Sequence, residues 1–561
     1  ACAYAGLAFS PDGAGLAFVA TDRSTGVASL EVARGGVTRV VATVKGSAST
    51  PRWSPDGRTL ALLATPGARK QAGAVQAGVP LVGEIGVRSD EQRLAVVPAA
   101  GGELRFVSPA DTYVYEYGWT PDGRGFAATS AKGDGDDNWW VAKLVAYTVD
   151  GAPERVIAAP KLQMNFPRVS PDGRQVIFVG GLMSDFGSVG GDLYTVPLGG
   201  GEPRDITPGF RGTFTSVSWT GARPVATALI VDHDALAEID SAGGAPRIAW
   251  SQPVTLTAGD GRAVFSADSA QVAFVAQDYT HAPHVMVGPL SAPRAVTHDN
   301  DALPAHVRAR SLTWRSDNFE VQGWLVEPLT PSAGPRPMMV EVHGGPAAAA
   351  TPTYVSAARL EGVLGHGYAM LEPNPRGSYG QGETFTRANV RDFGGGDLRD
   401  ILAGVDAAVA TGGIDAKRVG VMGVSYGGFM TLYAATHSDR FKAGVAGAGI
   451  ADWYSYYGQN GIHQWMLPFF GASAYDDPQL YLRLSPIWTI KQAKTPTFIW
   501  VGERDIECPP AQSIELFNGL REMHVPTSLV IYPDEGHGVR QPEHVQDVNR
   551  RTLEWLDRYM R

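Results

Sequence analysis

With 561 residues, 44% of them apolar and 19% charged, the chain is too long for one hydrophobic core and too rich in core-forming residues for disorder, so two or more folded domains are expected. A formal net charge of −10 and the lack of any Lys/Arg run argue against a nucleic-acid partner, because phosphate binding needs a basic face. No segment reaches the ~20 continuous apolar residues of a membrane span, and the two cysteines, Cys2 and Cys508, offer neither a disulfide framework nor a metal-ligand spacing. A soluble protein of cytoplasm or periplasm is expected, with no metal and with self-association left open.

From Ala1 to about Ala302 the chain reads as short alternating strands and turns, and it repeats itself. An apolar or aromatic residue, then Ser/Thr-Pro-Asp-Gly, then a strand appears from Phe9, Trp53, Trp119 and Val169, with degenerate copies from Val217 and Phe265. Pro presets φ, Asp bonds its own backbone and Gly supplies φ > 0, so each copy is a hairpin turn with a mechanism. Spacings of 44 to 50 residues, with one of 66 between Ser54 and Thr120, suit one four-stranded blade per repeat plus an insertion. An N-terminal all-β propeller of six or seven blades is expected over residues 1–305. Within it, the acidic run Asp134 to Asn138 superficially resembles a Ca²⁺ loop, but it lacks the Gly at the sixth position and the closing Glu. A solvated turn is expected there.

After Asn300 apolar strands alternate with amphipathic helices, which predicts an α/β-hydrolase domain over 306–561 with a doubly wound, mostly parallel sheet. Strands are predicted over Pro337–Val342, Ala369–Glu372, Val419–Gly423, Ala443–Ala448, Thr497–Val501 and Ser528–Tyr532. Leu398, Ile401, Leu402, Val405 and Val409 form one helical face, and Pro542 to Met560 forms another amphipathic helix.

The sharpest local signal is Gly423-Val424-Ser425-Tyr426-Gly427-Gly428, at the end of a strand and the start of a helix. A serine on this turn is lifted out of the sheet, the nucleophile elbow of α/β hydrolases. Serine needs a base and an orienting acid, and in this fold they follow it in the order Asp/Glu, then His. The next two strands lead into Gly502-Glu503-Arg504-Asp505-Ile506-Glu507 and Pro533-Asp534-Glu535-Gly536-His537-Gly538. His537 is therefore the base candidate. Asp505 is the preferred acid, since its loop can turn back towards His537, while Glu503, Glu507 and Asp534 read as surface or substrate-contact carboxylates. For the oxyanion, the N–H of Tyr426 is one donor, and Gly345 of the His343-Gly344-Gly345-Pro346 loop is the other, with His343 bracing that loop.

Together the SPDG-type blades, HGGP (His343 to Pro346), NPRGSYG (Asn374 to Gly380), GVSYGG (Gly423 to Gly428), GERDIECPPAQS (Gly502 to Ser513) and GHG (Gly536 to Gly538) resemble the prolyl oligopeptidase family, in its acylaminoacyl-peptidase and dipeptidyl-peptidase-like branches. The resemblance implies a Ser425, Asp505, His537 triad, oxyanion donors Tyr426 and Gly345, no cofactor, and short peptides as substrates that pass between propeller and hydrolase. It also implies that the aromatic stretch from Trp453 to Phe470 lines the pocket for the residue before the scissile bond, with Tyr456 or Tyr457 facing it and Trp465 beside them; core packing is the competing reading. Many members carry an arginine where this chain has Glu507, and an acidic group there suits a free amino terminus or a basic side chain. The paired glutamates of dipeptidyl peptidases have only a partial echo in Tyr115-Glu116-Tyr117. A carboxylesterase or a specialised isopeptidase would use the same machinery, and a non-catalytic propeller scaffold is the alternative of another class.

Overall fold

The structure, a computed structural model, describes residues 2–86, 89–258, 261–266 and 270–560. The Ala267-Asp268-Ser269 turn of the last repeat lies outside the described residues. The N-terminal half forms six antiparallel blades whose strands pair in sequence order, except that in the sixth both Thr255–Thr257 and Val264–Phe265 pair with Val272–Gln277. Blades one and two share the long strand Val37–Trp53, whose first part pairs with Val27–Arg34 and whose second part pairs with Thr59–Pro66.

The repeated phrase folds by the same hydrogen bonds in four blades. The hydroxyls of Ser10, Ser54, Thr120 and Ser170 donate to the Asp two residues on at 2.5–2.6 Å and accept the N–H five residues on at 2.8–3.0 Å. Gly13, Gly57, Gly123 and Gly173 close the turns at φ of 69–72°, which an L side chain would resist. The residue before the turn has a separate task. Trp53, Trp119 and Trp219 each donate an indole N–H to a carbonyl of the preceding blade, at Ala8, Arg52 and Arg168 respectively, so this position ties neighbouring blades together.

The C-terminal half is one sheet of eight strands: β1 Val307–Ser316, β2 Phe319–Pro328, β3 Arg336–Val342, β4 Ala369–Asn374, β5 Ile414–Val424, β6 Gly444–Gly447, β7 Thr497–Gly502 and β8 Thr527–Tyr532. Their spatial order is β1-β2-β4-β3-β5-β6-β7-β8. Strands β1, β2 and β4 pair antiparallel, and all later pairings are parallel. The helix α1, Gly396–Ala410, buries Leu398, Ile401 and Val405 against the sheet, as its apolar spacing predicts. The other helices that position the site are α2 Tyr426–His437, α3 Trp453–Gln459, α4 Pro510–Glu522 and α5 Pro542–Tyr559.

The two halves are packed together. One apolar cluster runs from Trp139, Leu182 and Met183 of the propeller into Tyr379, Phe393 and Trp465 of the hydrolase. The acidic run expected as a solvated turn is instead a docking point: Asp136 pairs with Lys70 at 2.6 Å, and Asp137 pairs with His463 at 2.9 Å and accepts the Gln464 N–H. Among the described residues no group of three or more His, Cys, Asp or Glu is arranged to hold a metal, and no helix is long and apolar enough to cross a membrane.

The insertion in blade two, of which residues 67–86 and 89–92 are described, reaches across to the hydrolase as a strap through its residues 75–78. Val75 accepts the His537 N–H at 3.2 Å, and Gly78 both donates to the Arg504 carbonyl and accepts from Arg504 Nε, at 2.8 and 2.7 Å. Gln76 accepts from Arg540 at 2.6 Å. The chain crosses so close to Gly536 that a Cβ there would meet the Ala77 nitrogen at 2.4 Å.

Candidate active site

Ser425 stands between β5 and α2 with φ 63° and ψ −124°, a left-handed conformation that only a tightly determined turn holds in a non-glycine residue. Its N–H donates to the Gly447 carbonyl on β6 at 3.0 Å. The neighbouring glycines are required by space: a Cβ at Gly427 would lie 1.9 Å from the Val342 carbonyl, and one at Gly428 would lie 2.3 Å from that of Gly447. Behind the serine, the buried Tyr426 phenol donates to Asp397 of α1, and burial pushes that carboxyl up to about 7. The elbow is thus pinned to the helix behind it.

Asp505 and His537 leave the carboxyl ends of β7 and β8, where α/β sheets build their sites. One oxygen of the buried Asp505 accepts the N–H groups of Glu507 and Cys508 at 2.9 and 2.8 Å, and the other meets His537 Nδ1 at 2.9 Å. This fixes the imidazole with Nδ1 as donor and Nε2 turned away from the acid. The two loops hold each other through Arg504 N–H to the Glu535 carbonyl, at 2.8 Å. The Glu535 carboxylate collects the N–H groups of Arg540 and Gln541 and His544 Nδ1, closing the His537 loop against the start of α5. Of the competing acids, the exposed Glu503 accepts only the Asp534 N–H, and Asp534 pairs with Arg504.

Glu507 takes a position that the sequence does not foretell: its carboxylate lies 3.2 Å from His537 Nε2, the nitrogen a serine base must offer to the nucleophile. Burial alone would lower the His537 pKa, but the charges of Asp505 and Glu507 on either side hold it well above the usual imidazole range. Burial pushes Glu507 up to about 7, with the facing imidazole working against that rise.

A cavity of about 40 Å³ opens beside Ser425, and Ser425, Tyr426, Gly345, Tyr456, Trp465 and Glu507 are among its walls. Both residues expected to supply oxyanion donors therefore line the same space as Ser425. Neither the Gly345 nor the Tyr426 N–H donates to another group among the described residues. The loop bearing Gly345 is braced through His343, whose Nδ1 meets the Gly344 carbonyl at 2.6 Å and whose Nε2 meets the Ser378 hydroxyl at 2.9 Å. Burial lowers the His343 pKa, in keeping with a neutral bracing ring. The NPRGSYG stretch supplies the rest of the frame: Arg376 is held by Asp400 and Asp317, and the Tyr379 phenol donates to Ser188 of the propeller.

Tyr456 and Trp465 line the cavity and are joined by the Trp465 indole N–H to the Tyr456 hydroxyl at 3.2 Å. Tyr457 does not reach it; its ring packs edge-on against His463, Tyr475 and Tyr481. Besides Ile450 and Ile462, three wall residues escaped the sequence reading. Cys508, whose thiol lies against the Ser425 hydroxyl and is pushed up by burial, sits in the same loop as Asp505 and was legible as a neighbour. Ser184 and Asp185 arrive from the propeller, and no local signal marks them. A larger cleft, about 1090 Å³, opens on the other face of the Asp505 loop, between the strap, the Asp134–Asp136 turn and Gln459 to Gly461.

An eight-stranded sheet with a strained serine after β5, an acid loop after β7 and a histidine loop after β8 is the fold of an α/β hydrolase, here carried behind a β-propeller. Comparison with known proteins agrees. Residues 354–561 match the prolyl oligopeptidase family, and the chain is a serine peptidase. An uncharacterized peptidase of Bacillus subtilis, YuxL, is 25% identical over 91% of this chain and 90% of its own length. Dipeptidyl-peptidase 5 of Porphyromonas gingivalis is 24% identical over 80% of this chain and 67% of its own. The solved structure of Pyrococcus horikoshii acylaminoacyl peptidase superimposes with a TM-score of 0.80 over 99% of this chain and 88% of that one, at 20% identity.

Proposed function

We propose that the protein hydrolyses short peptides through an acyl-enzyme on Ser425, within a chain that divides into a propeller (1–305) and a catalytic domain (306–561). His537 takes the Ser425 proton as the serine attacks the substrate carbonyl, the N–H groups of Tyr426 and Gly345 receive the oxyanion, and His537 then protonates the leaving amine. Water repeats the sequence to release the acid. The observation that carries this reading is the His537–Asp505 contact at 2.9 Å on the same side of the sheet as the strained Ser425. Placement of the cleft beside the Asp505 loop, between strap and hydrolase, supports entry of an extended peptide rather than a folded protein. The net charge of −10 supports a substrate other than nucleic acid.

The test compares the protein with Ser425→Ala on acyl-aminoacyl, Xaa-Pro, free-amine dipeptidyl and simple ester chromogenic substrates. Amide hydrolysis that the variant loses is the expected result. Equal activity of the two proteins sinks the mechanism, and Ser425-dependent cleavage of esters alone makes the enzyme a carboxylesterase.

A further inference from the structure

Acyl transfer by Ser425 uses one carboxylate, Asp505, yet the cavity beside the serine is walled by two more. Glu507 comes from the loop after β7, and Asp185 comes from the propeller, following the strand Gln175–Gly181. Neither has a cationic side chain beside it, since no Lys or Arg lines this cavity. Asp185 is held by the Gly187 N–H at 2.6 Å, and burial raises its pKa against the pull of His537. Glu507 is only 8% exposed, and its carboxylate accepts no hydrogen bond among the described residues; its ion-pair partner is His537 Nε2 at 3.2 Å. A buried carboxylate so placed is costly unless a cation joins it. Its charged partner is His537, the base itself, and that base has to turn to Ser425 for catalysis.

The geometry limits what can replace it. The cavity is small, about 40 Å³, and a compact cation such as a primary ammonium suits it. Position sets which ammonium. Nε2 must come within about 3 Å of the serine oxygen to act, so a cation seated on Glu507 lies next to the carbonyl under attack. The α-amine of the residue that owns this carbonyl is roughly 2.5 Å from the carbonyl carbon, whereas amines further along the chain lie a residue or more away.

We propose that Glu507 and Asp185 anchor the free α-ammonium of the substrate's first residue, and that seating this ammonium draws Glu507 off His537, so that the imidazolium gives its Nε2 proton to solvent and the neutral Nε2 faces Ser425. The enzyme is then an aminopeptidase-type hydrolase that removes single residues with an unblocked amine, and its base is engaged only when that amine is present. This rests on the Ser425 peptidase reading and deepens it.

The test measures kcat/KM on alanine p-nitroanilide with a free amine and on its N-acetyl counterpart, for the wild type, Glu507→Gln, Asp185→Asn and Ser425→Ala. The wild type is expected to favour the free amine by more than tenfold, and each carboxylate variant to lower that ratio by about 10- to 100-fold, the size of one charged hydrogen bond. Glu507→Gln is also expected to move the acid limb of the N-acetyl pH profile to lower pH, since the imidazolium loses a neighbouring charge. Circular dichroism and the thermal midpoint report which variants are folded, and Asp185→Asn carries the test if Glu507→Gln is not. A wild type that prefers the acetylated substrate, or a ratio unmoved by a folded variant, overturns the inference while leaving the peptidase intact. Hydrolysis that persists in Ser425→Ala overturns the peptidase reading itself.

Discussion

Replacing Asp505 by Asn changes one atom and should disable the base without disturbing the fold. The Asn oxygen belongs where the Glu507 and Cys508 N–H groups already point, at 2.9 and 2.8 Å. Turning the amide over would forfeit both bonds, each worth about 1 kcal/mol when buried, and set donors against donors, so that orientation loses by about 2 kcal/mol or more. The amide NH₂ then faces His537 Nδ1 across the 2.9 Å now spanned by the acid. Nδ1 must accept, Nε2 must carry the proton, and a protonated Nε2 cannot take the proton of Ser425. The expected loss is about 10⁴ in kcat, or about 5 kcal/mol of barrier, with KM changed only a few-fold because the defect is confined to the transition state. Steady-state kinetics on the best p-nitroanilide substrate, with Glu503→Gln as a variant expected to keep its activity, gives the answer. A kcat within tenfold of wild type for Asp505→Asn would refute the assignment of the acid.

Two further substitutions test the framework that holds the serine. Gly427→Ala places a methyl 1.9 Å from the Val342 carbonyl, a backbone atom locked in β3, and should cost at least the roughly 1–3 kcal/mol of an overpacked core; a thermal midpoint equal to wild type would contradict the packing argument. Arg376→Met leaves Asp400, whose side chain is fully buried, without its charge partner, and should cost about 3–5 kcal/mol in urea unfolding, with the double variant Arg376→Met, Asp400→Leu recovering most of the loss. Equal stability of the single and double variants would refute the charge explanation.

How far the molecule can be read from its sequence depends on how local its bonds are. The Ser-Pro-Asp-Gly turns close within five residues, and Ser425 owes its strain to adjoining glycines, so both stand out in one dimension. The parallel order of β3 to β8 follows from strand and helix alternation, and the loops that follow β7 and β8 bring Asp505 and His537 to one edge. Contacts between distant segments are silent in this sense. The partner of each blade tryptophan, the docking of Asp137 on His463, and the arrival of Asp185 beside Ser425 all join chain segments that carry no shared pattern. Glu507 is a different case: its identity was visible, but its loop can face either nitrogen of His537, and only the two N–H groups that fasten to Asp505 turn it towards Nε2. Tyr457 shows the limit of reading aromatics as a pocket, since adjacent residues on a helix point about 100° apart.

The strap from blade two has a consequence for how separable the two halves are. The backbone N–H of His537 finds its acceptor in Val75, and Arg504, next to the acid, has both its carbonyl and its guanidinium tied to Gly78. A hydrolase half cut free of the propeller would keep its sheet, its elbow and its serine, yet the two loops bearing acid and base would each lose an outside fastening. The propeller therefore supports the loops that carry Asp505 and His537, and exchanging propellers between relatives would graft a new support onto old loops. Modularity in this architecture ends at the tip of one insertion.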